Sequence, residues 1–440
     1  MSDAFDEALA LANEAPRDTS TPGGSAPSVS APGRTPAARK KPDAAHRHLG
    51  WDAARRVAHR TAGRPLAPVG RPLDERALGH TLAEPLEALT DLPAFDASAM
   101  DGWAVSGPGP WHLAPGTGVL AGHAAPSPLT DGDAVPVATG ARVPAGATAV
   151  LRSERGTVTG GQLRGPNPQP GADIRTRGQE CRSGTALLPA GTPITPVVLG
   201  LAAAAGYDEL TVRPRPRVDI LVLGDELLVS GRPQEGRIRD AIGPMAGPWL
   251  TALGADVIAT RHLGDDAEAL HRALVTSRAD LIITTGGTAA GPVDHVHPTL
   301  RRLGARLTVN GVAVRPGHPM LLAELPDGPP LIGLPGNPLA AVSGLLTLAA
   351  PLLRALTGRS APEEPQATLT GPVRRHPADT RLVPVTCPAP GRAEPLRYAG
   401  PAMLRGIAAA TALAVVPPGP EPSGEALSAG HVRLLELPRS

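Results

Sequence analysis

The chain has 440 residues, which is too long for one ordinary domain, so three or four domains are expected. Apolar residues make up 41% of the sequence but aromatic residues only 2%, so the cores must consist mainly of leucine, valine and alanine. A net charge of +1 offers no field that would attract nucleic acid or a membrane, and two cysteines, Cys181 and Cys387, are too few for a disulfide framework or a four-cysteine zinc site.

The N-terminal segment is predicted to remain outside the folded body. Residues 1–44 are rich in proline, serine, glycine, threonine and alanine without periodicity, which predicts a disordered tail. Its first 16 residues lack the cationic start and apolar run of a signal peptide, so a cytoplasmic location is expected. Lys40 and Lys41, the only lysines, fall in this tail, and charge contacts beyond it must use arginine or histidine.

The next stretch, from Trp51 to Thr90, has apolar residues at helical spacing between prolines, which predicts short helices. The residues of this pattern are Ala54, Val57, Ala58, Leu66, Leu82, Leu86 and Leu89. From Asp91 to Leu151 the pattern changes, because proline and glycine break it into short apolar runs at 134–139 and 148–151. These runs, followed by a hairpin-like passage over 158–173, predict a small β-rich domain.

After a strand-like start at Ala186 and an alanine-rich helix over 196–205, residues 214–357 have an α/β rhythm. Strands are predicted at 217–223, 256–260, 281–285 and 331–334, and helices at 243–253 and 267–276. Strands that alternate with helices at this spacing predict a parallel sheet. The apolar run 338–356 is interpreted as a buried core helix rather than a membrane span. Short strand-like runs at 382–385, 412–416 and 432–437 predict a small C-terminal β-barrel, with a sandwich as the alternative.

Two glycine turns mark the predicted functional centre. Gly286 and Gly287 follow the strand Leu281 to Thr285, and the turn Pro335-Gly336-Asn337 follows the strand at 331–334. Open α/β sheets place ligand sites at the carboxyl ends of their strands, and glycine lets backbone N–H groups approach a ligand. The two turns therefore predict an anion-binding pocket.

Carboxylates follow the same strands. Asp225 and Glu226, Asp265 and Asp266, and Asp294 stand at three predicted strand ends, where carboxylates together with ligand phosphates suit Mg²⁺. The alternative is that each carboxylate caps the next helix. His295 and His297 could share one face as metal ligands, but two histidines lack the third ligand that zinc needs.

Several spaced motifs, taken in order, resemble the molybdopterin molybdenumtransferase family, which includes the C-terminal domain of gephyrin. The resemblance covers about residues 50 to 440. Its motifs are the segment 95–105 with Ser98-Ala-Met-Asp-Gly-Trp-Ala104, the segment 138–147 with Glu154 beyond, Ile174-Arg175, Gly178 to Glu180, Leu223 to Leu227, Thr284 to Gly287 with Asp294, Pro316-Gly317, and Gly333 to Pro338.

The resemblance implies a four-domain, elongated chain that pairs as a homodimer. The implied domains are a mixed N-terminal domain (45–90 with 165–213), an inserted β-rich domain (91–164), a central α/β molybdopterin-binding domain with a parallel sheet (214–358) and a C-terminal β-barrel (359–440). The implied reaction is the insertion of molybdate into adenylated molybdopterin, with Mg²⁺ as cofactor and release of AMP. The implied site lies between the β-rich domain of one subunit and the α/β domain of the other.

Site residues follow from the matching positions. The implied catalytic residues are Asp101 and Thr139 in the β-rich domain, and Glu226, Asp265 and Asp294 in the α/β domain. The implied cofactor-binding residues are Asp225, Gly286, Gly287, Arg315, His318, Pro335, Gly336 and Asn337, and the implied metal ligands are Asp225, Glu226 and Asp294.

The sequence also departs from the family pattern around the expected oxyanion, which marks the chain as divergent. The departures are Ala289, Pro292, His297, Gly311, His318, Ala340 and Asp240-Ala241-Ile242. If His318 supplies charge, molybdate affinity is expected to rise as the pH falls towards about 6. Two alternatives stay open: a member that binds molybdopterin or a partner protein without turnover, and a different Mg²⁺-dependent nucleotide enzyme.

Overall fold

The fold is described from a computed structural model, which covers residues 48–113, 118–122, 127–288, 294–419 and 430–438. The tail predicted over residues 1–44 lies outside these described residues. From residue 48 onward the described chain forms one compact unit.

Residues 48–213 are mainly β-structure. Their strands are β1 (Leu49–Gly50), β2 (Val69–Pro72), β3 (Thr81–Leu82), β4 (Leu86–Glu87), β5 (Ala97–Ser98), β6 (Gly102–Val105), β7 (Trp111–Leu113), β8 (Asp133–Val137), β9 (Ala149–Arg152), β10 (Thr157–Thr159), β11 (Gln162–Arg164), β12 (Ile174–Arg175), β13 (Ala186–Leu188) and β14 (Glu209–Arg213). Their helices are α1 (Trp51–Thr61) and α2 (Pro196–Ala204), with short 3₁₀ turns at Glu75–Ala77 and Ser153–Arg155.

The predicted β-rich region is a six-stranded sheet in the order β10-β11-β7-β8-β6-β9. β10 and β11 form the hairpin that the glycine-rich passage predicted, turning at Gly160 and Gly161, both at positive φ. One face packs small and aliphatic side chains such as Ala104, whereas the other also buries Trp111, with Trp103 packed against it.

The helices predicted through Leu82, Leu86 and Leu89 were wrong. Leu82 ends β3, which pairs antiparallel with β14, and Leu86 begins β4, which pairs antiparallel with β13. Pro85 lies inside the run and lacks the N–H that a helix would need. Pairing with strands more than 90 residues away therefore overrides the helical spacing, and Leu89 is left largely exposed.

Residues 214–438 contain the remaining elements. The strands are β15 (Arg217–Leu223), β16 (Leu227–Leu228), β17 (Ile238–Arg239), β18 (Asp256–Leu263), β19 (Leu281–Thr285), β20 (Arg306–Asn310), β21 (Val312–Arg315), β22 (Leu321–Glu324), β23 (Pro330–Leu334), β24 (Gln366–Leu369), β25 (Thr380–Ala389), β26 (Arg392–Pro395), β27 (Ala412–Val416) and β28 (His431–Glu436). The helices are α3 (Ile242–Ala252), α4 (Ala267–Thr276), α5 (Val296–Arg302), α6 (Pro338–Gly344), a π-helical turn (Leu345–Ala349), α7 (Ala350–Thr357) and α8 (Arg405–Ala409).

The α/β rhythm predicted for this region is confirmed, with one difference in the sheet. Its order is β18-β15-β19-β23-β22-β20. The first four strands are mutually parallel, but β22 and β20 pair antiparallel, so the sheet is mixed rather than wholly parallel. Helices cover both faces: α3 packs on alternate residues of β15 such as Ile220, and α4 and α5 pack on the intervening Leu221 and Leu223.

The apolar run after Asn337 is a buried core helix, as predicted. Among the described residues, one helix, Pro338–Thr357, is long and apolar enough by composition to cross a membrane, and 94% of its apolar window is buried inside the protein. It comprises α6, the π-helical turn and α7, and α1 packs against it.

The C-terminal region forms the predicted barrel. β25, β26, β24, β28 and β27 pair in that order, and β27 pairs with β25 to close the ring. β21 pairs parallel with both β1 and β25, so it connects the α/β region to the barrel through backbone hydrogen bonds.

Candidate functional site

Three adjacent parallel strands, β15, β19 and β23, end beside one another in the α/β sheet. Gly286 donates its N–H to Leu334 O (2.9 Å), and a Cβ added to Gly286 would lie 3.2 Å from Leu223 O. A Cβ added to Gly336 would lie 3.7 Å from Gly286 Cα. Gly286 and Gly287 both have positive φ, which favours glycine. We call the meeting point of these strand ends the carboxyl edge.

Two of the predicted carboxylates lie together on this edge. Asp225 Oδ1 accepts a hydrogen bond from the N–H of Asp265 (3.3 Å), and it would lie only 2.5 Å from a Cβ added to Gly264. Both aspartates are exposed, as is Glu226, whose carboxylate lies over Gly224. The loops after β15 and β18 thus meet through the Asp225 carboxylate and the Asp265 backbone, and both aspartate side chains are open to solvent.

Asp266 has the alternative role that was predicted for such residues. Its Oδ1 accepts hydrogen bonds from the N–H groups of Glu268 (2.8 Å) and Ala269 (3.1 Å) at the start of α4. These bonds, that from Ala269 foremost, lower the pKa of the Asp266 carboxyl. Asp266 is a helix cap.

Asp294 stands next to the glycine turn, but its oxygen atoms are already engaged. Oδ1 accepts hydrogen bonds from the N–H groups of Val296 (3.0 Å) and His297 (3.4 Å), and Oδ2 accepts one from His297 Nδ1 (2.6 Å). His297 Nε2 lies 3.2 Å from Asn310 Oδ1, so the ring is held at both ends. Oδ1 would be 3.9 Å from a Cβ added to Gly287, which places this buried carboxylate beside the carboxyl edge.

The described residues contain no group of three or more histidine, cysteine, aspartate or glutamate side chains that could hold a metal. The structure therefore does not gather Asp225, Glu226 and Asp294 into one three-carboxylate centre, and the adjacent histidine pair forms no such centre either. The exposed oxygen atoms of Asp225 and Asp265 still match Mg²⁺, because Mg²⁺ needs only one or two carboxylates when a ligand supplies phosphate.

The two predicted cationic positions differ in charge. Arg315 Nε donates to Asp379 Oδ2 (2.8 Å), and its side chain is 58% exposed. His318 Nδ1 donates to Val312 O (2.9 Å), and its ring meets the ring of His48 edge-on at 4.1 Å. Burial, and secondarily His48, lowers the pKa of His318 below its ordinary value. The imidazole is therefore neutral near pH 7, and its charge appears only at more acidic pH than the sequence led us to expect.

The structure shows the surroundings of two positions that depart from the family pattern, Gly311 and Ala340. A Cβ added to Gly311 would lie 2.5 Å from His48 Nδ1, so the histidine occupies the space that a side chain at 311 would need. Ala340 is buried in α6. Ala289 and Pro292 lie outside the described residues.

The turn after β23 presents two of its three predicted residues to solvent. Gly336 and Asn337 are exposed and Pro335 is buried, and α6 begins at Pro338 as predicted. The N–H groups that follow, at the start of α6, donate to Pro401 O, so they are engaged within the fold. Any ligand contact at this turn must therefore come from Gly336 and Asn337.

Asp101 and Thr139 lie together in the β-rich region. Asp101 Oδ1 accepts hydrogen bonds from the Thr139 N–H (2.6 Å) and the Thr139 hydroxyl (2.9 Å). Both bonds lower the pKa of the exposed Asp101 carboxyl, the one from the Thr139 N–H more strongly, and they keep the carboxyl ionised. No hydrogen bond or ion pair within the described part of the chain joins this pair to the carboxyl edge.

Sequence reasoning missed one hydrogen-bonded pair near the carboxyl edge, formed by the buried Asp240 and the partly exposed His262. Asp240 Oδ1 accepts hydrogen bonds from the N–H groups of Ile242 and Gly243 (both 2.9 Å), and its Oδ2 accepts one from His262 Nε2 (2.9 Å). His262 is aligned with Val222 across β15 and β18. The only signals were an aspartate before a predicted helix and a histidine just beyond a predicted strand, and neither is specific.

The fold defines a class of protein that combines a β-rich region, an α/β region built on a mixed sheet, and a closed C-terminal barrel. Residues 49–206 match the family model described as the MoeA N-terminal region (domain I and II), and residues 219–355 match the model described as a probable molybdopterin binding domain.

Individual relatives agree with these matches. Molybdopterin molybdenumtransferase 2 of Mycobacterium tuberculosis is 36% identical over 333 residues, which cover 70% of this chain and 82% of the relative. Molybdopterin molybdenumtransferase of a Nostoc species is 32% identical over 303 residues, which cover 66% of this chain and 70% of the relative. The crystal structure of the moeA protein from Pyrococcus horikoshii, at 22% identity, shares the fold with a TM-score of 0.69 over 88% of this chain and all of that one. The chain belongs to the molybdopterin molybdenumtransferase family.

Proposed function

We propose that the chain is a molybdenumtransferase that inserts molybdate into adenylated molybdopterin and releases AMP. The observation that carries the proposal is the meeting of three glycine-flanked strand ends, at Gly224, Gly286 and Gly336, with the contact between Asp225 and Asp265. Such an edge offers backbone close approach for an anionic pterin nucleotide and oxygen ligands for its metal. The family membership and the names of the relatives support this reaction.

Mg²⁺ would be held by Asp225 and Asp265 together with the phosphates of the substrate, and Glu226 is near enough in sequence to assist. When bound, the ion neutralises phosphate charge while the phosphoanhydride is cleaved. Asp294 has a different part in this proposal, since its oxygen atoms are bonded to the start of α5 and to His297. Asp294 would hold the start of α5 in position next to Gly287.

The chain's own residues would then position the two reactants. Backbone groups of Gly286, Gly287 and Gly336 approach the pterin phosphate, and the exposed guanidinium of Arg315, which Asp379 orients, attracts the molybdate dianion. His318, being neutral, offers a polar contact rather than a charge. The family pattern has lysines at positions such as 318, and since the described residues contain no lysine, Arg315 would supply that charge here.

Asp101 and Thr139 would complete the site from the partner subunit of a homodimer. This fits their exposure and the ionised state of Asp101, together with the lack of contact to the carboxyl edge among the described residues of the same chain. The domain boundaries and the cytoplasmic location expected from the sequence belong to the same proposal.

A second candidate is a family member that binds molybdopterin or a partner without turnover. It is favoured by the neutral His318 and by the His48 ring in the space beside Gly311. The experiment that separates the two is an assay with adenylated molybdopterin, Mg²⁺ and molybdate. AMP release that depends on molybdate supports the transferase, whereas saturable binding without release supports the second candidate.

A further inference from the structure

The hydrogen-bonded pair of Asp240 and His262 has no role in the proposed nucleotide site. Asp240 is 4% exposed, and its carboxylate accepts three hydrogen bonds, of which the one from His262 is the only one from a side chain. A buried carboxylate is costly unless its oxygen atoms are satisfied. These bonds therefore fix the carboxylate, and the carboxylate in turn fixes the imidazole.

The hydrogen bond also decides which ring nitrogen of His262 carries the proton. Because a carboxylate oxygen only accepts, Nε2 is the donor in this bond, and Nδ1 is the ring nitrogen left to take up a proton. About a third of the His262 side chain (34%) is exposed, whereas the Asp240 side chain is almost wholly covered (3%). The arrangement is that of a general base: a buried carboxylate orients an imidazole whose Nδ1 makes no hydrogen bond to the part of the chain that the structure describes.

The location of the pair places it beside the proposed nucleotide site. His262 is two residues before Gly264, which is about 7 Å along a strand. Gly264 in turn packs against the Asp225 carboxylate, and Leu263 is aligned with Leu223, the last residue of β15. His262 thus lies on the strand that leads to the contact between Gly264 and Asp225, next to the edge where we propose that the adenylate binds.

We infer that His262, oriented by Asp240, is the general base that activates water for the release of AMP; this inference rests on the proposed function. In this step a water oxygen bonds to the adenylate phosphorus, and the bond from that phosphorus to the bridging oxygen breaks. The bridging oxygen leaves with the phosphate of molybdopterin. The water proton passes to Nδ1 of His262 and from there to solvent, so the step consumes only water, while molybdate has to be bound for it to proceed.

The test measures AMP release by the full chain from adenylated molybdopterin with Mg²⁺ and molybdate. His262→Ala should lower kcat about 100-fold, because a positioned base contributes about 10²- to 10⁴-fold, and should leave KM within about twofold. Added imidazole should restore part of the lost rate. His59→Ala, on the exposed face of α1, is the control and should match the wild type.

Asp240→Asn is the second variant, and it separates orientation from folding. Its amide oxygen can still accept the two backbone bonds, but its NH₂ group would face Nε2 and force the proton onto Nδ1. The rate should therefore fall at least about tenfold with unchanged thermal stability, by analogy with the wrong-tautomer effect in catalytic triads. A His262→Ala rate within about threefold of the wild type, or a lost rate that imidazole does not restore, overturns the inference alone. A wild-type chain that binds the adenylate without releasing AMP overturns the proposed function and this inference together.

Discussion

Trp51 Nε1 donates a hydrogen bond to Thr347 Oγ1 at 2.9 Å, joining two residues that are 296 positions apart. Both side chains are buried, and the guanidinium groups of Arg55 and Arg433 lie over the Trp51 ring at 4.6 and 5.2 Å. The first helix of the described chain is thereby tied to the core helix of the α/β region and, through Arg433, to the barrel.

The first prediction concerns this bond. Thr347→Val keeps the volume but leaves Trp51 Nε1 buried without an acceptor, so it should lower the free energy of unfolding by about 1–3 kcal/mol. Urea unfolding followed by tryptophan fluorescence measures this change. Thr347→Ser keeps the hydroxyl and should retain more stability than Thr347→Val; the reverse order would mean that the bond does not matter.

The second prediction separates two aspartates at the carboxyl edge. Asp225→Ala should raise the Mg²⁺ concentration for half-maximal AMP release about tenfold without lowering Tm, because Asp225 is exposed and offers a metal ligand. Asp294→Ala should instead lower the free energy of unfolding by about 1 kcal/mol, because the start of α5 loses the carboxylate that caps it. Thermal unfolding and Mg²⁺ titration of both variants decide the matter. Equal Mg²⁺ dependence in Asp225→Ala and the wild type would remove Asp225 from the metal site.

The third prediction concerns the β-rich region. Asp101→Ala should slow AMP release by about tenfold or more while leaving Tm unchanged, because the exposed carboxylate would act on the ligand and not on the fold. Asp208→Ala, another exposed acidic residue, serves as the control. If a mixed dimer forms from Asp101→Ala and Asp225→Ala chains, it should regain one intact site and part of the activity. No recovery in a verified mixed dimer would contradict a site shared between subunits.

The fourth prediction is a pH dependence. Because the pKa of His318 is lowered in the folded chain, its cationic form contributes to molybdate binding only as the pH falls below about 6.5, and the contribution is absent between pH 7 and 8. The unfolded chain takes up this proton more readily, so the same residue makes the folded state less stable as the pH falls through about 6.5. His318→Gln, which does not titrate, should lose both effects. A wild-type profile that rises already from pH 8 to 7, and is flat in His318→Gln, would show a higher pKa than the structure implies.

The sequence was most informative where the pattern was local. The strand Leu281–Thr285 is aliphatic over its first three residues and buried throughout, and Gly286 follows it because the turn requires positive φ. The helix from Pro338 was equally evident, because proline suits a first helical position. These features identified the carboxyl edge without any structure.

Long-range contacts were the part that sequence could not supply. Leu82 and Leu86 have helical spacing, but their strand partners come from residues 186–213. Asp240 and His262 are 22 positions apart, and they meet because the start of α3, where Asp240 lies, packs next to β18. Likewise, nothing local indicated that His48 fills the space beside Gly311. Each of these depends on pairing between segments that have no sequence signal for one another.

The most direct test of the central claim is AMP release from adenylated molybdopterin by the purified chain, followed with and without molybdate in the presence of Mg²⁺. If the carboxyl edge holds the pterin nucleotide for molybdenum insertion, AMP appears in stoichiometric or greater amounts only when molybdate is present, and Asp225→Ala releases it more slowly. Binding of the adenylate with no AMP in either condition, or release that is the same without molybdate, would contradict the account.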